Sequence, residues 1–162
     1  MFEGDRPTGP KAKIYRELAL MAQGLFDGER DAIANAANLS ALLWTGLAGL
    51  NWAGFYFLKG PGLVLGPFQG RPACVRIEIG RGVCGTAAQK RETVIVPDVE
   101  EFPGHIACDA ASRSELVVPL LAGSRLVGVL DLDSRDRERF DEEDAKGIEM
   151  LAALWTAASD PI

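Results

Sequence analysis

Hydrophobic positions change their period along this chain, and the changes mark its elements. Ile14, Leu18, Met21 and Leu25 recur at helical spacing through KIYRELALMAQGLFDG, with Gly28 placed where a helix would stop. A second helical stretch runs from about Asp31 to Leu47 and offers Ile33, Ala37, Leu42, Leu43 and Leu47 for a buried face. The period then shortens. NWAGFYFL (51–58) reads as a strand, KGPG (59–62) as a turn and LVLGPFQG (63–70) as the returning partner. CVRIEI (74–79) alternates apolar with charged residues, as a strand with one wet face does. GRGVCGTAAQKR (80–91) predicts a glycine-rich turn into a short helix, and TVIVPDV (93–99) a short strand stopped by Pro97.

From Pro97 to Ser114 the pattern has no period, and loops of that length inside a domain are often functional. ELVVPLL (115–121) and LVGVLDLDS (126–134) predict a second hairpin around AGSR. A last helix begins near Asp141, whose side chain can cap it, and buries Ile148, Leu151 and Trp155. Helices at both ends with hairpins between them predict an α+β fold: a mostly antiparallel central sheet of about five or six strands, with the N-terminal and C-terminal helices packed on one face.

Composition adds bounds to this picture. The 162 residues fit one domain, expected over residues 11–160 behind a flexible N-terminal arm of residues 1–10 that is rich in Gly and Pro. The formal charge is −6 and the basic residues form no dense cluster, which argues against a nucleic acid or a membrane surface as partner and favours a small molecule or another protein. No stretch reads as a secretory signal or a membrane span, so a cytoplasmic location is expected.

Three cysteines, Cys74, Cys84 and Cys108, cannot all pair within one chain, so reduced thiols are the default. They form no C-x-x-C motif. Although His105 would complete a set of four ligands, the expectation is no metal. Cys84 falls near the start of the predicted short helix, where the dipole favours thiolate, yet free cysteine also packs as a small core residue. Cys108 lies in the long loop between His105 and Asp109, which oppose one another in their effect on its ionisation. Burial, metal ligation and thiol reactivity all remain open for it.

The strand period predicts that Leu126, Leu130 and Leu132 share one face of LVGVLDLDS, while Val127, Val129, Asp131 and Asp133 share the other. Across the hairpin, Glu115 falls near the level of the two aspartates. Crowded carboxylates raise one another's pKa and can keep a proton near neutral pH. Spacing alone favours the plainer alternative, solvated acids at a strand end.

NWAGFYFL, LGPFQGRPACVRIEIGRGVCGTAA, TVIVPDVEEFPGHIACDAASRSELVVP and GVLDLDS together resemble the free methionine-(R)-sulfoxide reductases, enzymes built on a GAF domain. The resemblance spans about residues 12–157, and the cysteine triplet in GRPAC, GVCGTA and HIACD separates these reductases from other GAF domains. It implies reduction of the free R-sulfoxide of methionine through a cysteine sulfenic acid and an intramolecular disulfide, re-reduced by thioredoxin, without a cofactor. By the same resemblance Cys108 or Cys84 attacks, and Cys108 is preferred because a loop thiol can reach the substrate and then swing to a partner. Cys74 then resolves, and Cys84 relays or also resolves. Glu115, Asp131 and Asp133 would hold the substrate's ammonium, with Glu115 and Asp133 also serving as acids. Trp52 and Tyr56 would receive the methyl end, unless they are simply core aromatics.

Two rivals belong to other classes. A GAF module that senses a small molecule without catalysis usually sits beside an effector domain, which this chain has no room for. A thiol carrying a tetrapyrrole would need a longer photoreceptor core. A homodimer is expected by analogy with GAF domains that pair through terminal helices.

Overall fold

The computed structural model describes residues 6–104 and 110–162. Six strands form one antiparallel sheet: β1 (Leu50–Lys59), β2 (Gly62–Gly70), β3 (Arg76–Glu78), β4 (Val94–Val96), β5 (Ser114–Ala122) and β6 (Arg125–Ser134). They lie in the order β3-β2-β1-β6-β5-β4, so the two sequence-predicted hairpins join through β1 and β6 at the centre. Four helices complete the fold: α1 (Lys11–Phe26), α2 (Ala32–Gly46), α3 (Gly82–Lys90) and α4 (Glu142–Ala158).

The alternation of β1 explains why both faces of the sheet are covered. Ala53, Phe55 and Phe57 point into a cluster with Leu18, Leu39, Leu43, Ile148, Leu151 and Trp155 of α1, α2 and α4. Trp52 and Tyr56 point the other way, into a smaller cluster with Val117, Val129 and α3 residues Val83, Cys84 and Ala87. The first cluster is the main stabilising unit, since each large apolar side chain removed from water contributes about 1.5–3 kcal/mol. Trp155 sits within 5.8 Å of both Phe55 and Phe57, and its indole N–H donates to the Ala32 carbonyl. Burial therefore leaves no polar group of that indole unmet.

The capping role expected of Asp141 is present. Its carboxylate accepts from the backbone N–H groups of Glu143 and Asp144, and the Asp144 carboxylate accepts from the Asp141 N–H in return. Asp144 is buried and also accepts from the Tyr15 hydroxyl at 2.7 Å and the Lys11 ammonium at 2.6 Å, which ties α1 to the start of α4.

Three expectations need correction. The buried stripe of α2 is Ala32, Asn35, Ala36, Leu39, Ser40, Leu42, Leu43 and Gly46, so Ile33 is 47% exposed and Ala37 is also exposed. The cap at Asp31 sets the phase, and small residues rather than the larger Ile33 meet the sheet. The strand around residues 74–79 shortens to Arg76–Glu78, leaving Cys74 ahead of it. Finally, the pairing of β5 with β6 shifts between Leu120 and Leu121: Leu120 faces Gly128, but Leu121 faces Leu126. The extra residue inverts the two side chains beyond it, so Leu126 joins the α3 side and Val127 the main core, opposite to simple alternation.

Residues 6–10 are held at the surface of this frame. Pro7 is buried, and the Arg6 guanidinium donates to the Thr45 carbonyl at 2.9 Å.

Candidate active site

The α3 face of the sheet brings together residues that are far apart in sequence. In the β5–β6 ladder Glu115 stands directly opposite Asp133, and Asp131 lies two residues along on the same side. In the β1–β6 ladder Trp52 faces Asp133, Gly54 faces Asp131 and Tyr56 faces Val129. Acids and aromatics thus occupy adjacent rows of one face.

Cys84 completes the cluster from above. The chain enters α3 through Gly80 and through Gly82, the first residue of the helix, both with positive φ, and a Cβ at Gly85 would stand 2.3 Å from the Glu78 carbonyl oxygen. Only glycine at position 85 lets α3 press this closely on β3 and lower Cys84 toward the acids. The Cys84 thiol donates to Asp131 Oδ2 at 3.2 Å and lies 3.9 Å from Glu115 Oε1.

These groups are not solvated. Cys84 is 4% exposed, and Glu115 and Asp131 are each 6% exposed, which overturns the reading of Glu115 and Asp131 as surface acids; Asp133 is half-buried. Burial pushes the Cys84 thiol well above its ordinary pKa, and the charges of Asp131 and Glu115 push it the same way. The expectation that the helix dipole favours thiolate at Cys84 is therefore reversed. A helix N-terminus contributes at most about 2 kcal/mol, against desolvation and two adjacent carboxyl groups. Burial likewise raises the Glu115 carboxyl, aided by the charge of Asp133, and the Asp131 carboxyl, aided by that of Glu115. Both shifts favour the protonated form of these carboxyls over the charged one. Asp131 Oδ1 is buried without a hydrogen-bond partner among the described residues.

The aromatic wall is more ordered than the sequence indicated. Trp52 stacks on Tyr56 at 5.8 Å and on Phe68 at 5.2 Å between ring centroids. Phe68 was not among the sequence-derived candidates. It reaches this wall because the β1–β2 register shifts between Gly54 and Tyr56, a bulge without a local sequence signal. Gly54 is the other missed residue, since a Cβ there would stand 2.3 Å from Phe68 Cβ and 2.8 Å from the Trp52 ring. Both polar atoms of the wall reach backward: the Trp52 indole N–H donates to the Arg71 carbonyl and the Tyr56 hydroxyl to the Cys74 carbonyl, each at 3.1 Å. Trp52 and Tyr56 therefore pack in the second core and also hold the segment that carries half-buried Cys74.

His105, Cys108 and Asp109 lie outside the described residues. The chain on either side of them is anchored near Glu115. Val99 N–H donates to the Arg113 carbonyl, Arg113 N–H to that of Ser134, and the Asn51 amide to the hydroxyl of buried Ser112 at 3.1 Å.

Residues 13–158 match the GAF domain family. Over 143 residues the chain is 50% identical to the free methionine-R-sulfoxide reductase of Escherichia coli, covering 88% of this chain and 87% of that protein. The chain belongs to the free methionine-R-sulfoxide reductase family. The Saccharomyces cerevisiae reductase of this family is 46% identical over 152 residues, with 89% of this chain and 84% of that protein covered. A crystal structure of the Neisseria meningitidis family member in complex with its substrate superimposes with a TM-score of 0.93 at 43% identity, covering 98% of this chain and 95% of that one. Membership of this reductase family agrees with the motif resemblance, and the antiparallel GAF fold agrees with the predicted architecture. No helix among the described residues is long and apolar enough to cross a membrane.

Proposed function

We propose that this chain reduces free methionine-R-sulfoxide to methionine, with the α3 face of the sheet as its substrate site. The observation that carries the reading is a buried thiol and carboxyl cluster beside an aromatic wall, in a chain 50% identical to a reductase of that name. Free amino acid substrate suits the acids, because an ammonium group can pair with Glu115, Asp131 and Asp133 whereas a peptide nitrogen cannot. The aromatic side of Trp52 and Tyr56 suits the methyl end.

Cys108 is the attacking thiol in this reading. The held-protonated state of Cys84 supports that choice, since a thiol donating to Asp131 is a weak nucleophile. The Cys108 thiolate bonds to the sulfoxide sulfur while a carboxyl of the cluster, Glu115 or Asp133, gives its proton to the oxygen. Cleavage of the S–O bond leaves methionine and a sulfenic acid on Cys108: sulfur of the substrate is reduced by two electrons and the cysteine is oxidised by two. The Cys74 thiol then attacks the sulfenic sulfur, releasing water and forming the Cys74–Cys108 disulfide, with Cys84 as a second thiol able to take part. A thioredoxin-type dithiol reduces that disulfide. No cofactor or metal enters any step. The protein acts in the cytoplasm in this reading, as a homodimer by analogy with other GAF domains.

The test is methionine formation from separated epimers with a thioredoxin system. The free R-epimer is reduced, while the S-epimer and N-acetyl or peptide-bound sulfoxide are nearly inert. Equal turnover of the acetylated compound removes the ammonium-binding role of the acids, and absence of turnover with the free R-epimer removes the function.

A further inference from the structure

The position of Cys84 is unusual for a thiol that the proposed reaction uses only as a spare. It is buried, it faces two buried carboxyls, and one of those carboxyls has an oxygen with no partner among the described residues. The ligand atoms of Cys84, Glu115 and Asp131 all lie within 4.8 Å of one another. Tetrahedral zinc with a sulfur at about 2.3 Å and oxygens at about 2.1 Å places sulfur and oxygen about 3.6 Å apart. The two sulfur–oxygen separations present, 3.2 and 3.9 Å, straddle that value.

We infer that Cys84, Glu115 and Asp131 form an inhibitory site for a borderline divalent cation such as Zn2+, carried by three elements that meet only in the folded chain. The three residues share no metal-binding spacing along the chain; α3, β5 and β6 supply one ligand each. Three protein ligands leave a fourth tetrahedral position for water, the pattern of an open rather than a structural zinc site. On binding, the metal takes the sulfur lone pair and carboxylate oxygens, and the thiol and acid protons leave to solvent; no electron is transferred. Asp131 Oδ1 gives the carboxylate a second acceptor with which to meet a cation. The hard cation Mg2+ is a poor match for a thiolate and prefers six oxygens, so selectivity for Zn2+ or Co2+ over Mg2+ is expected.

Metal binding stands without the proposed activity, whereas inhibition rests on it. If the acids hold the substrate's ammonium and deliver a proton, the cation occupies their place and removes that proton. Inhibition is then competitive with the sulfoxide.

The experiment uses the reduced full chain, titrated with Zn2+ against a chromophoric chelator and with Co2+ by absorption spectroscopy. The expected result is one Zn2+ per chain and a thiolate-to-cobalt charge-transfer band. Cys84→Ser abolishes the band and weakens Zn2+ binding by more than about tenfold, beyond the lower end of the 10–100-fold loss typical of outer partners. Asp131→Asn weakens it likewise, while Cys74→Ser and Cys108→Ser keep both signals. Absence of stoichiometric binding, equal competition by Mg2+, or loss of the band in Cys74→Ser or Cys108→Ser with retention in Cys84→Ser overturns the site. In turnover assays Zn2+ raises the apparent KM for the free R-sulfoxide at unchanged kcat; a fall in kcat at constant KM overturns the shared location. A chain that binds Zn2+ through Cys84 yet reduces no sulfoxide keeps the metal site and defeats the proposed function instead.

Discussion

The Tyr56 hydroxyl donates a 3.1 Å hydrogen bond to the carbonyl of Cys74, so a side chain of the central strand β1 holds the backbone of a cysteine that lies just before β3. Tyr56 is almost fully buried and stacked on Trp52, which fixes the direction of this bond. Tyr56→Phe keeps the ring and removes the hydroxyl that makes this bond. A typical intramolecular hydrogen bond contributes about 0.5–1.5 kcal/mol, and a loss of that size is expected in denaturant titration. In the proposed cycle the Cys108 sulfenic acid should persist longer in this variant, read by trapping with a 1,3-dione. An unchanged lifetime means that this bond does not position Cys74 for capture.

Single-turnover chemistry separates the three thiols. With Cys108→Ser, one equivalent of substrate yields no methionine, because no sulfenic acid forms. Cys74→Ser releases about one methionine per chain by the sulfenic-acid mechanism but recycles poorly with thioredoxin. Cys84→Ser should still release its first methionine, since the wild-type thiol is protonated against Asp131. The reverse outcome, loss in Cys84→Ser and retention in Cys108→Ser, exchanges the two roles.

The acids should trade stability for activity. Glu115 and Asp133 face each other across the ladder, and like charges so placed repel. Glu115→Gln removes a buried ionisable group that is costly to charge, so its thermal midpoint should be no lower than that of the wild type. Its turnover, and that of Asp133→Asn, should fall by roughly 10²–10⁴, the usual contribution of a positioned acid. Full activity in both variants removes the acid role.

Acid stability has a separate origin, at the cap of α4. The Lys11 ammonium bonds to Asp141 at 2.7 Å and holds its carboxyl down at about 2, from an ordinary 3.8. A carboxyl lowered in the folded state contributes stability that is complete above its unfolded value and fades as pH falls through the folded one. Asparagine caps helices as well as aspartate does, so Asp141→Asn removes the charge and keeps the cap. The stability difference between wild type and Asp141→Asn should be constant near neutrality and shrink between about pH 4 and pH 2. Asp141 is more than half exposed, so the effect is small and salt-sensitive. A difference that does not change with pH over that window means that Lys11 does not stabilise the ionised carboxyl.

Much of this protein was legible in its sequence because the signals are local. Helical spacing marked α1, α2 and α4, Asp141 marked the start of α4, and strand alternation placed Asp131 and Asp133 on one side of β6. Hairpin logic brought Glu115 level with them, and three separately spaced cysteine motifs pointed to a reductase family. The helix, strand and cap assignments follow from backbone periods of 3.6 and 2 and from short-range hydrogen bonding, which neighbouring residues specify by themselves, whereas the family came from motif resemblance.

Tertiary structure decided what those residues experience. The sequence placed Cys84 at a helix start and argued for thiolate; the packing of α3 against β5 and β6 buries it beside two acids and keeps it protonated. Spacing favoured solvated acids, and burial by α3 and the aromatic wall made Glu115 and Asp131 interior groups. The bulges that turn Leu126 and Val127 over and bring Phe68 to Trp52 depend on how two strands pair, which no single strand encodes. Desolvation and register are properties of what lies opposite a residue, so they appear only once distant segments meet.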